Sequence, residues 1–177
     1  MTGAPPAALP APEAPAPGLL RRLACLVYEG MLLFGVVMIA GYLYSSLTQQ
    51  RHALHGQFGL QAFLFVVLGV YFVFFWSRGG QTVAMKAWHV RVVAGDGATL
   101  RQWQAFRRYL LSWVWWLPAL GFSSLAGLQG LGVAVALLVG VIGYALLSRL
   151  HPQGQFWHDA VAGTRLIDSR PAAAEAP

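Results

Sequence analysis

The chain has 177 residues, 57% of them hydrophobic and only 10% charged, with a mean hydropathy of +0.56 and a formal net charge of +6. A water-soluble domain carries roughly 25% charged residues, so composition excludes a wholly water-facing surface and directs the apolar residues toward lipid. The basic balance, 12 Lys and Arg against 6 Asp and Glu, does not point to nucleic acid, because the cations flank apolar runs as membrane-protein loops do.

Residues 1–18 are almost wholly Ala and Pro, with Glu13 the one charge. Such a segment buries too little apolar surface to offset its ordering entropy, and it reads as a disordered cytoplasmic tail, as does 169–177. Cys25 is the single cysteine, so no internal disulfide is expected. Leu23-Ala24-Cys25 superficially matches a lipoprotein box. Arg21 and Arg22 stand where that box, or a cleaved secretory signal, needs an apolar stretch.

A first span is predicted over 23–47, apolar except for Glu29 and long enough to cross about 30 Å of hydrocarbon. A loop over 48–58 holds Arg51, His52 and His55. The second span, 59–76, ends on Trp76, which is expected to anchor it at an interface. The cytoplasmic loop 77–108 follows, with Gly79-Gly80 as a flexible exit. In it His89 to Val93 alternates like a strand, and Ala94-Gly95-Asp96-Gly97 supplies turn chemistry, together suggesting a short β-hairpin-like turn. Thr99 and Gln102 read as a capping box that starts a helix at Leu100. That helix is expected to lie along the membrane surface, carrying Trp103, Phe106, Arg107 and Arg108.

The third span, 109–125, bears Trp113, Trp115 and Trp116 as an interfacial belt and a kink at Pro118. The fourth, 128–147, forms a tight hairpin with it. Gly132, Ala136 and Gly140 recur every four residues there, a smooth face for close packing within the chain or between two copies. The predicted fold is thus an all-α membrane protein with four transmembrane helices in two hairpins, spanning residues 19–168. With both termini inside, eleven of the twelve Lys and Arg residues fall on the cytoplasmic side and only Arg51 outside. That bias sets the orientation in the membrane, with anionic lipid headgroups touching the cytoplasmic face.

Glu29 is the most informative residue. It lies seven positions beyond Arg22, roughly 10 Å along a helix. A charge at that depth costs a few kcal/mol, so it should face protein or water and have a partner. Two readings stand side by side. Glu29 binds a cation or relays a proton, or it is a strut tying the first helix to a basic loop residue such as Lys86 or Arg91. Near the other end, Asp159 is expected to pair with Arg22 at the inner interface, while Phe156 and Trp157 suit the headgroup zone. Adjacent His158 and Asp159 are expected to point different ways, which argues against a metal site. No nucleophile set, phosphate loop or zinc-protease helix is present. Neither enzymatic activity nor a cofactor is expected.

Three stretches resemble the RDD family of bacterial multi-pass membrane proteins. Arg22-Leu23-Ala24-Cys25-Leu26-Val27-Tyr28-Glu29 is similar to its opening, an Arg followed seven residues later by an acid. Gly80-Gln81-Thr82 through Lys86, then Val90-Arg91-Val92-Val93 and Asp96-Gly97, resembles its central loop, and His158-Asp159 with Gly163-Thr164 its closing motif. Two departures stand out: Glu29 occupies a position where Asp is usual, and Met85 precedes Lys86 where Gly is frequent. The resemblance implies a charge network of Arg22, Glu29 and Asp159, with Lys86, Arg91 and His158 as supporting charges. It also implies a link to sodium–proton exchange, drawn from some relatives. The two functions carried forward are cation or proton transport, in a homo-oligomer since four spans make a small transporter, and a non-transport assembly protein in which the same charges are structural.

Overall fold

A computed structural model describes residues 15–48, 57–148 and 155–170, without the side chains of Gln57 and Trp115. The expected loop residues Arg51, His52 and His55 lie outside the described residues, as do 1–14 and 171–177. In chain order the elements are α1 (Leu19–Leu47), α2 (Gln57–Gly79), α3 (Val83–Ala87), β1 (Val90–Ala94), α4 (Gln102–Ser112), a 3₁₀ turn (Trp113–Trp115), α5 (Trp116–Leu125), α6 (Leu131–Leu147), α7 (Trp157–Val161) and β2 (Thr164–Asp168).

The pattern of burial along α1 is inverted relative to a helix of a water-soluble protein. Its buried residues are Arg22, Cys25, Glu29 and Ala40, whereas Met31, Phe34, Ile39 and Tyr42 are exposed. Two charges inside and large apolar side chains outside are stable only where the surroundings are themselves apolar. Both α1 and α2 are long and apolar enough to cross a bilayer; α6 is apolar but shorter, at 17 residues. The predicted third span is not one continuous α-helix. α4 passes through the 3₁₀ turn into α5, and the turn contains Val114, the residue four before Pro118. Proline's ring clashes with that carbonyl and donates no hydrogen bond to it, so the α-helical register breaks one turn upstream of the proline.

The start of α1, the end of α2, the start of α4 and the end of α6 meet a small cap built from α3, β1, α7 and β2. Its sheet corrects the hairpin expected within the loop. β1 does form, but it pairs antiparallel with β2 from the far end of the chain, with Val90 opposite Asp168 and Ala94 opposite Thr164. The local turn is present: the Asp96 carboxylate accepts from the Ala98 N–H at 3.0 Å. It turns the chain toward α4 because β2 offers β1 a buried apolar partner, Leu166 and Ile167. The helix start also moves. α4 begins at Gln102, where the Gln104 side chain accepts from the Arg101 N–H at 3.0 Å, rather than at Leu100 with Thr99 as cap.

Parts of both presumed tails are docked. The Pro15 carbonyl accepts from the Asp168 N–H at 3.1 Å, and Ser169 N–H donates to His89 at 2.9 Å. Arg21 bridges to Asp168 at 2.8 Å and Arg170 to the same carboxylate at 2.7 Å. Together these contacts clamp the first turn of α1 to the end of β2. Gly140 of α6 packs against Ala119 of α5, so at this position the small-residue face serves the hairpin inside the chain.

Gly80 is a structural requirement rather than a flexible exit. Its φ is +67°, and a Cβ there would fall against the Val92 carbonyl oxygen, closer than van der Waals contact allows. Its own carbonyl accepts from the Val92 N–H at 2.8 Å. Gly80→Ala is therefore expected to destabilise the protein by at least about 1–2 kcal/mol, the backbone term alone, seen as a lower melting temperature in detergent. Gly79→Ala, with open space around its Cβ position, serves as the control. Equal melting of the two variants would contradict this role.

Candidate functional site

One buried face of α1 carries Arg22, Cys25 and Glu29, a spacing of three and four residues that aligns them along the helix. Two polar clusters meet this face, one around Glu29 and one around Asp159.

Glu29 is 7% exposed. The Tyr71 hydroxyl of α2 donates to its Oε1 at 2.7 Å, and the Thr82 hydroxyl donates to its Oε2. Thr82 caps α3, its oxygen accepting from the Met85 N–H at 3.2 Å. With its acceptor side used there, its proton is free to point at Glu29. These partners correct the strut expected from basic loop residues. Lys86 is exposed, and Arg91 donates to Gln81 at 3.4 Å. Short α3 folds back against α1 after the Gly80 turn, which brings Thr82 rather than Lys86 to the carboxylate. Among the described residues, no Lys, Arg or His forms an ion pair with Glu29.

Asp159 is fully buried, at 0% exposure. Arg108 Nη2 approaches its Oδ1 at 2.7 Å and His158 Nε2 approaches the same oxygen at 2.8 Å. Both contacts converge on Oδ1, and Oδ2 keeps acceptor capacity. The expected Arg22–Asp159 pair is thus replaced: Arg108 takes the direct contact, and Arg22 acts on Asp159 at longer range. His158 and Asp159 do not diverge as anticipated, since α7 is a single short turn on which the imidazole folds over the neighbouring carboxylate. Tyr144 of α6 holds the ring from behind, with its hydroxyl 3.1 Å from His158 Nδ1 and accepting from the His158 N–H at 3.0 Å.

Aromatic rings sandwich the cluster. The Arg22 guanidinium lies 4.5 Å from the Phe156 ring centroid and that of Arg108 4.3 Å from Trp76. Phe156 and Trp76, expected in the headgroup zone, are both buried here; Trp157 alone of the three is exposed. Trp113, placed in the expected belt, packs against Phe65 and Tyr109. Burial alone would raise the Asp159 carboxyl, but the charges of Arg108 and His158 outweigh it and hold the group below its ordinary range. Among the described residues no group of three metal-ligating side chains occurs.

Arg22, Glu29, Asp159 and His158 are therefore gathered around the base of α1, while Lys86 and Arg91 stand apart from both acids. Sequence reasoning gave no role to Tyr71, Thr82 or Tyr144, and it placed Arg108 along the membrane surface, whereas Arg108 is buried against Asp159. Thr82 stood in a quoted motif, and Arg108 ended a basic pair before an apolar run. Tyr71, inside a uniformly apolar span, left no signal.

The model of the RDD family matches residues 16–163, most of the chain. Among curated proteins and solved structures, none matches it.

Removing one partner of a buried ion pair strands the other, so Arg108→Met is expected to cost about 3–5 kcal/mol, and Arg108→Met with Asp159→Leu to cost less than either change alone. The pH dependence follows from the depressed carboxyl. Its contribution is present above the unfolded-state value and is lost as pH falls through the lower folded-state value. Wild type should thus lose thermal stability below about pH 4 more steeply than Asp159→Asn does; parallel acid curves would contradict the pairing.

Proposed function

This chain belongs to the RDD family of membrane proteins, and on that premise we propose that it carries a proton or a cation across a bacterial inner membrane on Glu29. In this reading α1 and α2 form one hairpin of spans and α4 to α6 the other. The cap and both termini face the cytoplasm, in keeping with the basic residues gathered there.

The observation that carries the reading is the neutrality of the partners of Glu29. An anion sheltered in an apolar sheath is normally balanced by a fixed cation. Asp159 has that balance. Glu29 has two hydroxyls, which lower the energy of a carboxylate but leave its charge standing. A mobile positive charge, H⁺ or a metal cation, supplies the balance. Tyr71 suits an exchange of states, because its hydroxyl donates to the carboxylate and accepts from the carboxylic acid with little movement.

A second reading draws on the outer face of the cap. Lys86, Arg101 and Arg107 are exposed there alongside Trp88, Trp103 and Trp157, the mixture that grips anionic headgroups or a partner's acidic surface. If gripping is the whole function, Glu29 is a strut and its loss affects abundance alone.

The deciding measurement is flux driven by a pH gradient across proteoliposomes. Glu29→Gln, which keeps the shape and both hydrogen-bonding neighbours, should abolish the flux, and Thr82→Val should shift its pH dependence. Undiminished flux in correctly folded Glu29→Gln would remove the carboxylate from the mechanism and leave the second reading.

A further inference from the structure

Among the described residues Glu29 has no fixed cation beside it, so the choice between a proton and a metal cation falls to its two hydroxyl neighbours. Both are held in place by other contacts. The Tyr71 ring packs against Phe75 and Phe72, with centroids 4.9 Å and 5.2 Å apart, and its hydroxyl donates to Oε1 at 2.7 Å. The Thr82 hydroxyl donates to Oε2, while its oxygen accepts from the Met85 N–H at the start of α3. A hydroxyl carries a single proton, and in each case that proton lies between the hydroxyl oxygen and Glu29. The lone pairs of such an oxygen point to the sides of its O–H bond and not along it. Neither hydroxyl can therefore donate to a Glu29 oxygen and share a metal ion with that same oxygen.

A hard metal cation gathers about six oxygen ligands at about 2.0–2.6 Å. For Tyr71 and Thr82 to join the carboxylate as ligands, both would have to turn their protons away from Glu29. That step forfeits two hydrogen bonds to a charged group, the stronger kind, and disturbs a packed ring and a helix cap. A proton needs one lone pair on one carboxylate oxygen and adds almost no volume, so both hydroxyls keep their places. We propose that Glu29 takes up protons in preference to metal cations, because its two neighbours meet it as donors and not as ligands. As a statement about cargo this rests on the transport reading above; as a statement about binding it does not.

The full-length protein in lipid nanodiscs is titrated with pH and followed by infrared spectroscopy. The Glu29 carboxylic acid is recognised by the C=O band that Glu29→Gln removes and Glu29→Asp shifts. Titrations are run in choline chloride, sodium chloride and potassium chloride at equal ionic strength, and the midpoint is expected to be the same in all three. A competing cation would lower it by about one pH unit for each ten-fold rise in salt above its dissociation constant. Such a drift in sodium or potassium would overturn the preference, as would the absence of any Glu29 acid band down to about pH 4. Proteoliposomes separate the two claims. Glu29-dependent uptake of labelled sodium keeps transport and sinks the preference. A salt-independent midpoint without Glu29-dependent proton flux keeps the preference and sinks transport.

Discussion

A fully buried carboxylate joins the separate chain segments that meet at the basic end of this protein. Asp159 lies on α7, Arg108 on α4, and His158 is held by Tyr144 of α6, so one anion ties the second pair of helices to the C-terminal segment. Arg22 brings the first helix within its electrostatic reach. Desolvating such charges is expensive, and their mutual attraction offsets that cost only when each cation stays in place. The cap is therefore held by a condition on position. If α4 slides or α7 detaches, an uncompensated charge is left among apolar side chains.

The peripheral clamp works under milder terms. Asp168 pairs with Arg21 and Arg170 near the surface, where water screens the charges and each contact contributes little. Burial here disfavours the charged form of Asp168, but hydrogen bonds from Arg170 and Arg21 more than reverse that and push its carboxyl below the ordinary range. Its contribution is mainly one of register. With β1 paired to β2 and the Asp168 N–H donating to the Pro15 carbonyl, the segment leading into α1 is held against the end of β2.

Glu29 and Asp159 are two acids on facing parts of one interior, and their surroundings separate them by role. Arg108 and His158 favour the anionic form of Asp159. Hydroxyls from Tyr71 and Thr82 leave Glu29 able to exist in either form. Arg22, between them on the α1 face, has spare donors and no direct ion pair among the described residues. That difference in partners, rather than the acids themselves, is the basis for the proposal that one acid is structural and the other exchanges its charge.

Much of the architecture was legible in the residues taken in order. The long apolar runs of α1 and α2, the interruption ahead of Pro118, the tight hairpin before α6 and the buried acid at position 29 follow from local hydropathy and backbone chemistry, which act over a few residues. Pairing across the chain was not legible. Nothing near Val90 announces that its strand partner lies at Asp168, and no periodicity says that Asp159 will meet Arg108 rather than Arg22. Lys86 or Arg91, not Thr82, was the expected partner for Glu29; the left-handed turn at Gly80 folds α3 back and brings Thr82 there instead. Composition and pattern determined that charges would have to be sheltered inside an apolar exterior. Only the tertiary structure decided which charges shelter each other, because an ion pair depends on distances of a few ångströms between segments whose separation in sequence carries no record of them.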